Sequence, residues 1–274
     1  MKSILKTALI ALTGVILVSG GAYADKVKLV LEGSTTVLPI AQPEAEAFMA
    51  KNADISVTVR GGGSGVGVAS LMDSTCDIAN SSRPIKGGEI QKALSKGVDP
   101  KGSVIAMDGI AVVVNPSNGV KNLTKKQVKD IYTGNISDWA QVGGAAGKIV
   151  VVSRDTSSGT YEAFGALAID GAKVRGDALL QASNQAIATT VGTTPAAIGY
   201  IGLGYLTEKV KAVTVNGVEC KKENVLNNSY PYSRPLYMYT NGKPEGAKKT
   251  FIDFVLSAEG QKIVEESGFV PLSK

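Results

Sequence analysis

The chain has 274 residues, with 29 lysines and arginines against 24 aspartates and glutamates, a net charge of +5, 5% aromatic residues, two cysteines and no histidine. So small a charge excess, spread over scattered lysines with few aromatics, is a solvated surface and not a nucleic-acid footprint, so nucleic acid is not an expected partner. The missing histidine removes the usual general base, the usual activator of a serine or cysteine nucleophile and the commonest metal ligand. Cys76 and Cys220 are too few and too far apart in sequence for a cysteine zinc site, so neither a metal nor a cofactor is expected.

In chain order the first feature is an export signal. Lys2 and Lys6 form a positive start, residues 8–18 are apolar, and Ala22-Tyr23-Ala24 has the small-x-small pattern of a cleavage site. The apolar run is shorter than the roughly 20 residues needed to span a bilayer. The expected mature chain begins at Asp25, has 250 residues and a net charge of +3, and without a cysteine at the cleavage site it is expected free of lipid. Such a length suits two domains of ordinary size.

Strand-like and helix-like segments then alternate, the pattern of α/β architecture. Residues 27–31 read as a strand leading into Gly33-Ser34-Thr35-Thr36, followed by helical spacing over 39–49. Residues 55–59 read as a strand that feeds Gly61-Gly62-Gly63-Ser64-Gly65-Val66-Gly67 and a helix through 68–72. Residues 77–80 read as a short buried strand running into Ser81-Ser82-Arg83, 110–115 as a β-branched strand, and 124–132 as a helix opened by a threonine cap. Residues 149–152 read as a strand ending at Arg154-Asp155-Thr156-Ser157-Ser158-Gly159-Thr160, with a helix from about Thr160. Trp139 and the late tyrosines Tyr200, Tyr205, Tyr230, Tyr232, Tyr237 and Tyr239 read as core and hinge packing.

Three of these loops are rich in glycine and hydroxyl groups, and each joins a strand to a helix. Their free backbone N–H groups and hydroxyls converge at helix N-termini, which is oxyanion-binding chemistry. In open α/β sheets ligands sit beyond the carboxyl ends of strands, where all three loops lie. The roughly 90 residues between the second and third loops carry strands of their own, so two lobes are expected, with the Arg154 loop facing the other two across a cleft.

Taken in order, Gly-Ser-Thr-Thr-x-x-Pro at 33–39, Gly-Gly-Gly-Ser-Gly at 61–65, Asp-Ile-Ala-Asn-Ser-Ser-Arg at 77–83, Arg-Asp-x-Ser-Ser-Gly-Thr-Tyr-Glu at 154–162 and Ala-Ile-Gly-Tyr-Ile-Gly at 197–202 resemble the periplasmic phosphate-binding proteins of phosphate ABC transporters, the PstS type. The likeness continues through Tyr230-Pro231-Tyr232-Ser233-Arg234-Pro235-Leu236-Tyr237 and into Gly268-Phe269-Val270-Pro271, and so spans the expected mature chain. It implies a type II periplasmic-binding-protein fold of two α/β lobes joined by two hinge crossings. Lobe I would be residues 25–107 and 235–274, and lobe II residues 108–234. It also implies an exported, non-enzymatic and monomeric protein that closes over inorganic phosphate and presents it to the permease subunits of an ABC importer. By the same resemblance the ligand contacts fall on Thr35, Thr36, Ser64, Ser82, Arg154, Ser158, Gly159 and Thr160. Arg154 would offer its planar fork to two ligand oxygens.

One position departs from the family's longer members, which carry an aspartate where this chain has Ser82. A hydroxyl donates as well as accepts, so it does not repel a fully deprotonated anion, and sulfate or arsenate stays open as an alternative ligand. Arg83 is expected to add to the anion preference. Asp155 is either a replacement proton acceptor or a salt-bridge partner that orients Arg154. A phosphatase or serine hydrolase built on one of the loops is a further alternative, disfavoured by the missing histidine, and no phosphate-binding Gly-x-x-x-x-Gly-Lys-Ser/Thr loop is present. Whether Cys76 and Cys220 pair is left open.

Overall fold

The computed structural model describes residues 26–272; the export signal proposed for residues 1–24 lies outside them. The chain opens with β1 (Val27–Gly33), α1 (Leu38–Lys51), β2 (Ile55–Arg60), α2 (Ser64–Met72), β3 (Ile78–Ser81) and α3 (Gly87–Ser95). Here β1 lies parallel between β2 and β3, and alternate residues such as Leu29 and Leu31 are buried against α1. Strand β4 (Pro100–Val114) then runs 15 residues and leads to β5 (Asn122–Leu123), α4 (Lys125–Thr133), β6 (Val150–Arg154), α5 (Gly159–Ala168), β7 (Leu179–Gln181), α6 (Asn184–Thr193) and β8 (Ala197–Gly202). The chain finishes with β9 (Lys211–Ala212), β10 (Thr214–Val215), α7 (Lys222–Leu226), β11 (Ser233–Asn241), α8 (Gly246–Leu256) and α9 (Ala258–Glu266).

The strands hydrogen-bond in the order β2-β1-β3-β11-β4-β8-β6-β7, with β9 also on β4. Parallel strands flank each end, while β11 and β4 run antiparallel through the middle. The apolar core does not follow this continuous path. One cluster gathers buried residues from 110 to 232 with Val270, a second draws on β1, α1, β2, α8 and α9, and a third packs α2 and α3 on β3. The cores part along β4 after Ala106 and along β11 before Leu236, and among the described residues the chain passes between them again from Phe269 to Val270.

The expected α/β order holds, and two differences have local causes. β4 begins ten residues before the expected strand because Lys101-Gly102-Ser103 and Asp108-Gly109 interrupt its apolar pattern; pairing with β11 makes those residues a strand. Helix α3, not expected at all, begins with two glycines, poor helix formers that hide the segment from a propensity reading. The threonine cap at the start of α4 is present, Thr124 Oγ1 accepting from the Gln127 amide at 3.1 Å. Trp139 and Tyr200, Tyr230 and Tyr232 are buried in the first cluster, and Trp139 donates to the Ala196 carbonyl. Cys76 and Cys220 are buried free thiols in different clusters, so no disulfide joins them.

Candidate functional site

The site forms where β1, β2, β3, β6 and β8 end, beside the crossing strands. Each glycine-rich loop turns a strand into a helix, and the first and third use a serine to hold the turn. After β1, Ser34 Oγ accepts from the Thr36 amide at 3.1 Å and sets Thr35 and Thr36 at the entry to α1. After β2, Gly63 at φ +105° brings Ser64 in as the first residue of α2. A Cβ at Gly63 would stand 2.7 Å from the Ser157 carbonyl oxygen of the third loop, so glycine is required by both the dihedral and the approach. After β6, Ser158 caps α5, its Oγ accepting from the amides of Thr160 and Tyr161 at 3.2 Å each.

The third loop meets the first two directly. The Gly65 amide donates to the Ser157 carbonyl at 2.9 Å, and Ser157 Oγ donates to the Gly62 carbonyl at 3.1 Å. A Cβ at Gly159 would lie 2.8 Å from both Ser64 Cβ and Ser82 Oγ, so only glycine permits this closeness. Thr36 Oγ1 and Thr160 Oγ1 are 2.9 Å apart. Thr35, Thr36, Ser64, Ser82, Arg154, Ser158, Gly159 and Thr160 are thus all buried and belong to one constellation.

What this constellation can bind follows from its lone pairs. A hydroxyl accepts through two lone pairs and donates one hydrogen. Both lone pairs of Ser158 Oγ are taken by amides. Thr36 Oγ1 accepts from Asn184 Nδ2 at 3.0 Å and from Arg234 Nη2 at 3.3 Å, so its hydrogen must point elsewhere, with Thr160 Oγ1 the nearest acceptor. Thr160 Oγ1 also accepts from Arg234 Nη2 at 3.0 Å, which leaves its own hydrogen to give. Ser64 Oγ accepts from the Ser82 amide at 3.0 Å. With both lone pairs taken, Ser158 Oγ and Thr160 Oγ1 are left with hydrogens to give, and the complementary ligand is an acceptor-rich anion.

Arg154 supplies the charge. It is 1% exposed; Nε donates to the Gln181 carbonyl at 3.0 Å and Nη2 to the Ala182 carbonyl at 2.9 Å, while Nη1 is buried without a partner. The carbonyls of β7 and the following residue hold one edge of the guanidinium and leave Nη1, with the second hydrogen of Nη2, as the free edge. Burial pulls the Arg154 pKa down while Asp155 opposes that pull, and guanidinium stays charged regardless. Asp155 itself is a loop cap, accepting from the Ser157 amide at 2.9 Å and sharing the Ser157 hydroxyl hydrogen with the Gly62 carbonyl, with its nearer approach to Arg154 only 3.8 Å.

The expectation for Arg83 changes. Its Nη1 and Nη2 reach the two carboxylate oxygens of Glu89 at 2.8 and 2.7 Å, and Nε stands 2.6 Å from Glu162. Burial works against the Arg83 charge, but these two carboxylates outweigh it and raise its pKa. Glu89 and Glu162, the latter shared with Lys86, therefore offset much of the Arg83 charge beside Ser82.

Three residues of the site escape a local reading. Asn184, first in α6, accepts from the Gly202 amide through Oδ1, which turns Nδ2 toward Thr35 and Thr36. Arg234 on β11 lies inside a quoted motif, yet its role depends on the cross-strand register that sets it opposite Asp108. Asp108 is fully buried; burial raises its pKa while two hydrogen bonds from Arg234 and one from the Leu203 amide oppose that rise. The Asp108-Gly109 pair on a strand was the one available signal.

Known proteins share this arrangement of elements. A PBP superfamily domain model matches residues 20–259. The phosphate-binding protein PstS of Bacillus subtilis is 35% identical over 250 residues, covering 89% of this chain and 81% of its own length. That of Borreliella burgdorferi is 35% identical over 259 residues, covering 90% and 91%. A Clostridium perfringens protein whose crystal structure holds bound phosphate superposes with a TM-score of 0.84 at 39% identity, over 90% of this chain and 100% of that one. An ABC-type phosphate transport receptor from Vibrio cholerae gives 0.74 at 32% identity, over 89% and 100%.

Proposed function

The chain belongs to the PstS family of phosphate-binding proteins within the PBP superfamily, and from that premise we propose that it captures inorganic phosphate outside the cytoplasm and delivers it to the permease of an ABC importer. Phosphate sits between Thr35, Thr36, Ser64 and Ser82 on one side and Arg154, Ser158, Gly159 and Thr160 on the other. The two sides are lobes, 25–107 with 235–274 and 108–234, that hinge on β4 and β11. Residues 1–24 direct export and are removed, and the mature protein works as a monomer, without turnover and without nucleic acid.

The observation that carries this reading is the buried, unpartnered Nη1 of Arg154 beside hydroxyls whose lone pairs are already filled. A buried donor left unmet costs on the order of 1–3 kcal/mol, more when charged, and an anionic oxygen there removes that cost. No described group of three or more Cys, Asp or Glu side chains is placed to hold a metal ion. The one hydroxyl–carboxylate contact in these loops, Ser157 with Asp155, joins residues two apart within a single turn, and none of the eight contact residues carries a carboxylate to act as base, so capture fits better than hydrolysis.

Calorimetric titration of the mature chain with phosphate, sulfate and arsenate, run beside a turnover assay on a generic phosphoester, tests it. One site per chain filled by phosphate and no turnover is expected. Steady phosphoester hydrolysis, or no heat with any oxyanion, would overturn the proposal.

A further inference from the structure

One cluster of charges joins the two sides of the cleft away from the anion site. Glu162 on α5 reaches the segment after β3, where its Oε2 lies 2.6 Å from Arg83 Nε and 2.8 Å from Lys86 Nζ, ion pairs held by proximity without hydrogen-bond alignment. Glu89 of α3 holds the opposite edge of the Arg83 guanidinium and accepts from the Lys86 amide at 2.9 Å, so the receiving groups are themselves fixed. Glu162 and Arg83 are 16% and 5% exposed in their side chains, shielded enough that solvent screening does not cancel the attraction. A groove of about 400 Å³ is lined by Ser82, Arg83, Glu162, Ala163 and Arg234, so the same carboxylate borders a cavity shared with Ser82.

We propose that Glu162 is a positioning residue that latches the closed cleft through Arg83 and Lys86 and thereby slows release of the anion. The role rests on the phosphate reading and adds to it a residue that touches no ligand. Glu162 shares α5 with Phe164 of the first cluster, while Arg83 and Lys86 lie either side of Ile85 of the third, so hinge opening on β4 and β11 breaks both ion pairs together. A contact present only when closed shifts the open–closed equilibrium by its own differential free energy, and a closed-state contact acts on the release rate.

The sign of the effect separates a latch from simple charge. Glu162→Gln removes a negative charge near an anion site, which by Coulomb attraction alone would tighten phosphate binding; a latch predicts weaker binding. Glu89 remains to neutralise Arg83 in this variant, so the fold is kept. Stopped-flow measurement on the mature protein should give a phosphate release rate raised about tenfold with an association rate changed less than about twofold, the partition expected for a closed-state contact. Lys86→Gln, at an exposed side chain, should raise release in the same direction by less, and the double variant should release no faster than Glu162→Gln alone.

Spin labels on Ser95→Cys and Lys173→Cys, both exposed and on opposite sides of the cleft, report the separation without any ligand. The latch predicts a longer and broader distance in Glu162→Gln than in the parent. A parent protein that ignores phosphate while Glu162→Gln opens the cleft would sink the phosphate reading and keep the latch. Unchanged distances, or phosphate release unchanged or slowed in Glu162→Gln, would overturn the latch itself.

Discussion

Arg234 stands opposite Asp108 in the antiparallel register of β11 and β4, and its Nε and Nη2 reach the same carboxylate oxygen at 2.9 and 2.8 Å. The pair is buried where the two crossing strands pass between the cores. From there the guanidinium also donates to the hydroxyls of Thr36 and Thr160, one from each side of the cleft, and to the Ser82 carbonyl at 3.1 Å. A single ion pair thus ties the two crossing strands together and orients the hydroxyls of Thr36 and Thr160.

Breaking that pair on one side should be costly. Arg234→Met leaves Asp108 as an uncompensated buried carboxylate, and a loss of about 3–5 kcal/mol in unfolding free energy is expected. The double change Arg234→Met with Asp108→Leu should recover most of that stability. It should not recover phosphate affinity, because Thr36 and Thr160 have lost the donor that fills their lone pairs. Denaturant unfolding and phosphate titration of both variants check this; full recovery of binding in the double variant would mean that Arg234 is structural only.

Glu44 gives a pH dependence with a definite sign. Its carboxyl is fully buried on α1 with neither oxygen hydrogen-bonded, and burial, with Glu259 adding to it, pushes its pKa up from 4.5 to about 9. The native state therefore keeps a proton that the unfolded chain gives up. The stability contributed by Glu44 is fully present below about pH 4.5 and is lost as pH rises toward about 9. Glu44→Gln, which cannot ionise, should match the parent near pH 4 and exceed it by on the order of 3 kcal/mol at pH 7. Thermal melts of both proteins across this range should show the gap widening with pH. A constant gap would mean that Glu44 is not held protonated.

Selectivity should follow from the donors. The carboxylates nearest the site are engaged: Asp108 by Arg234, Asp155 by Ser157 and Glu162 by Arg83 and Lys86. A ligand oxygen that carries a proton finds hydroxyls already committed to donating, so affinity should rise as phosphate loses its second proton. Sulfate should compete measurably. Competition titrations at several pH values test both; phosphate affinity that falls with rising pH, together with complete rejection of sulfate, would show that a proton acceptor operates in the site.

The legible part of this protein was what lies close together along the chain. Loops such as Gly61-Gly62-Gly63-Ser64 and Ser157-Ser158-Gly159 announce turns, caps and helix N-termini through local backbone physics, and all eight candidate residues meet in one buried constellation. What was hidden depends on long-range pairing. The register of β4 and β11 sets Arg234 against Asp108. Arg83 sits next to Ser82 in sequence and reads as an anion donor, yet Glu89 and Glu162 claim its guanidinium. Asn184 begins an unremarkable helix, and only the fold brings it to Thr36.

The measurement closest to the central claim is calorimetric titration of phosphate into the mature parent protein and into Arg154→Met, with thermal melts to confirm that both are folded. The account predicts one phosphate per chain for the parent. In Arg154→Met it predicts a loss of about 2–5 kcal/mol of binding free energy, since the substitution removes a buried charged donor, Nη1, that has neither a hydrogen-bond partner nor a close carboxylate. A folded Arg154→Met that binds phosphate as tightly as the parent would contradict it and place the anion elsewhere.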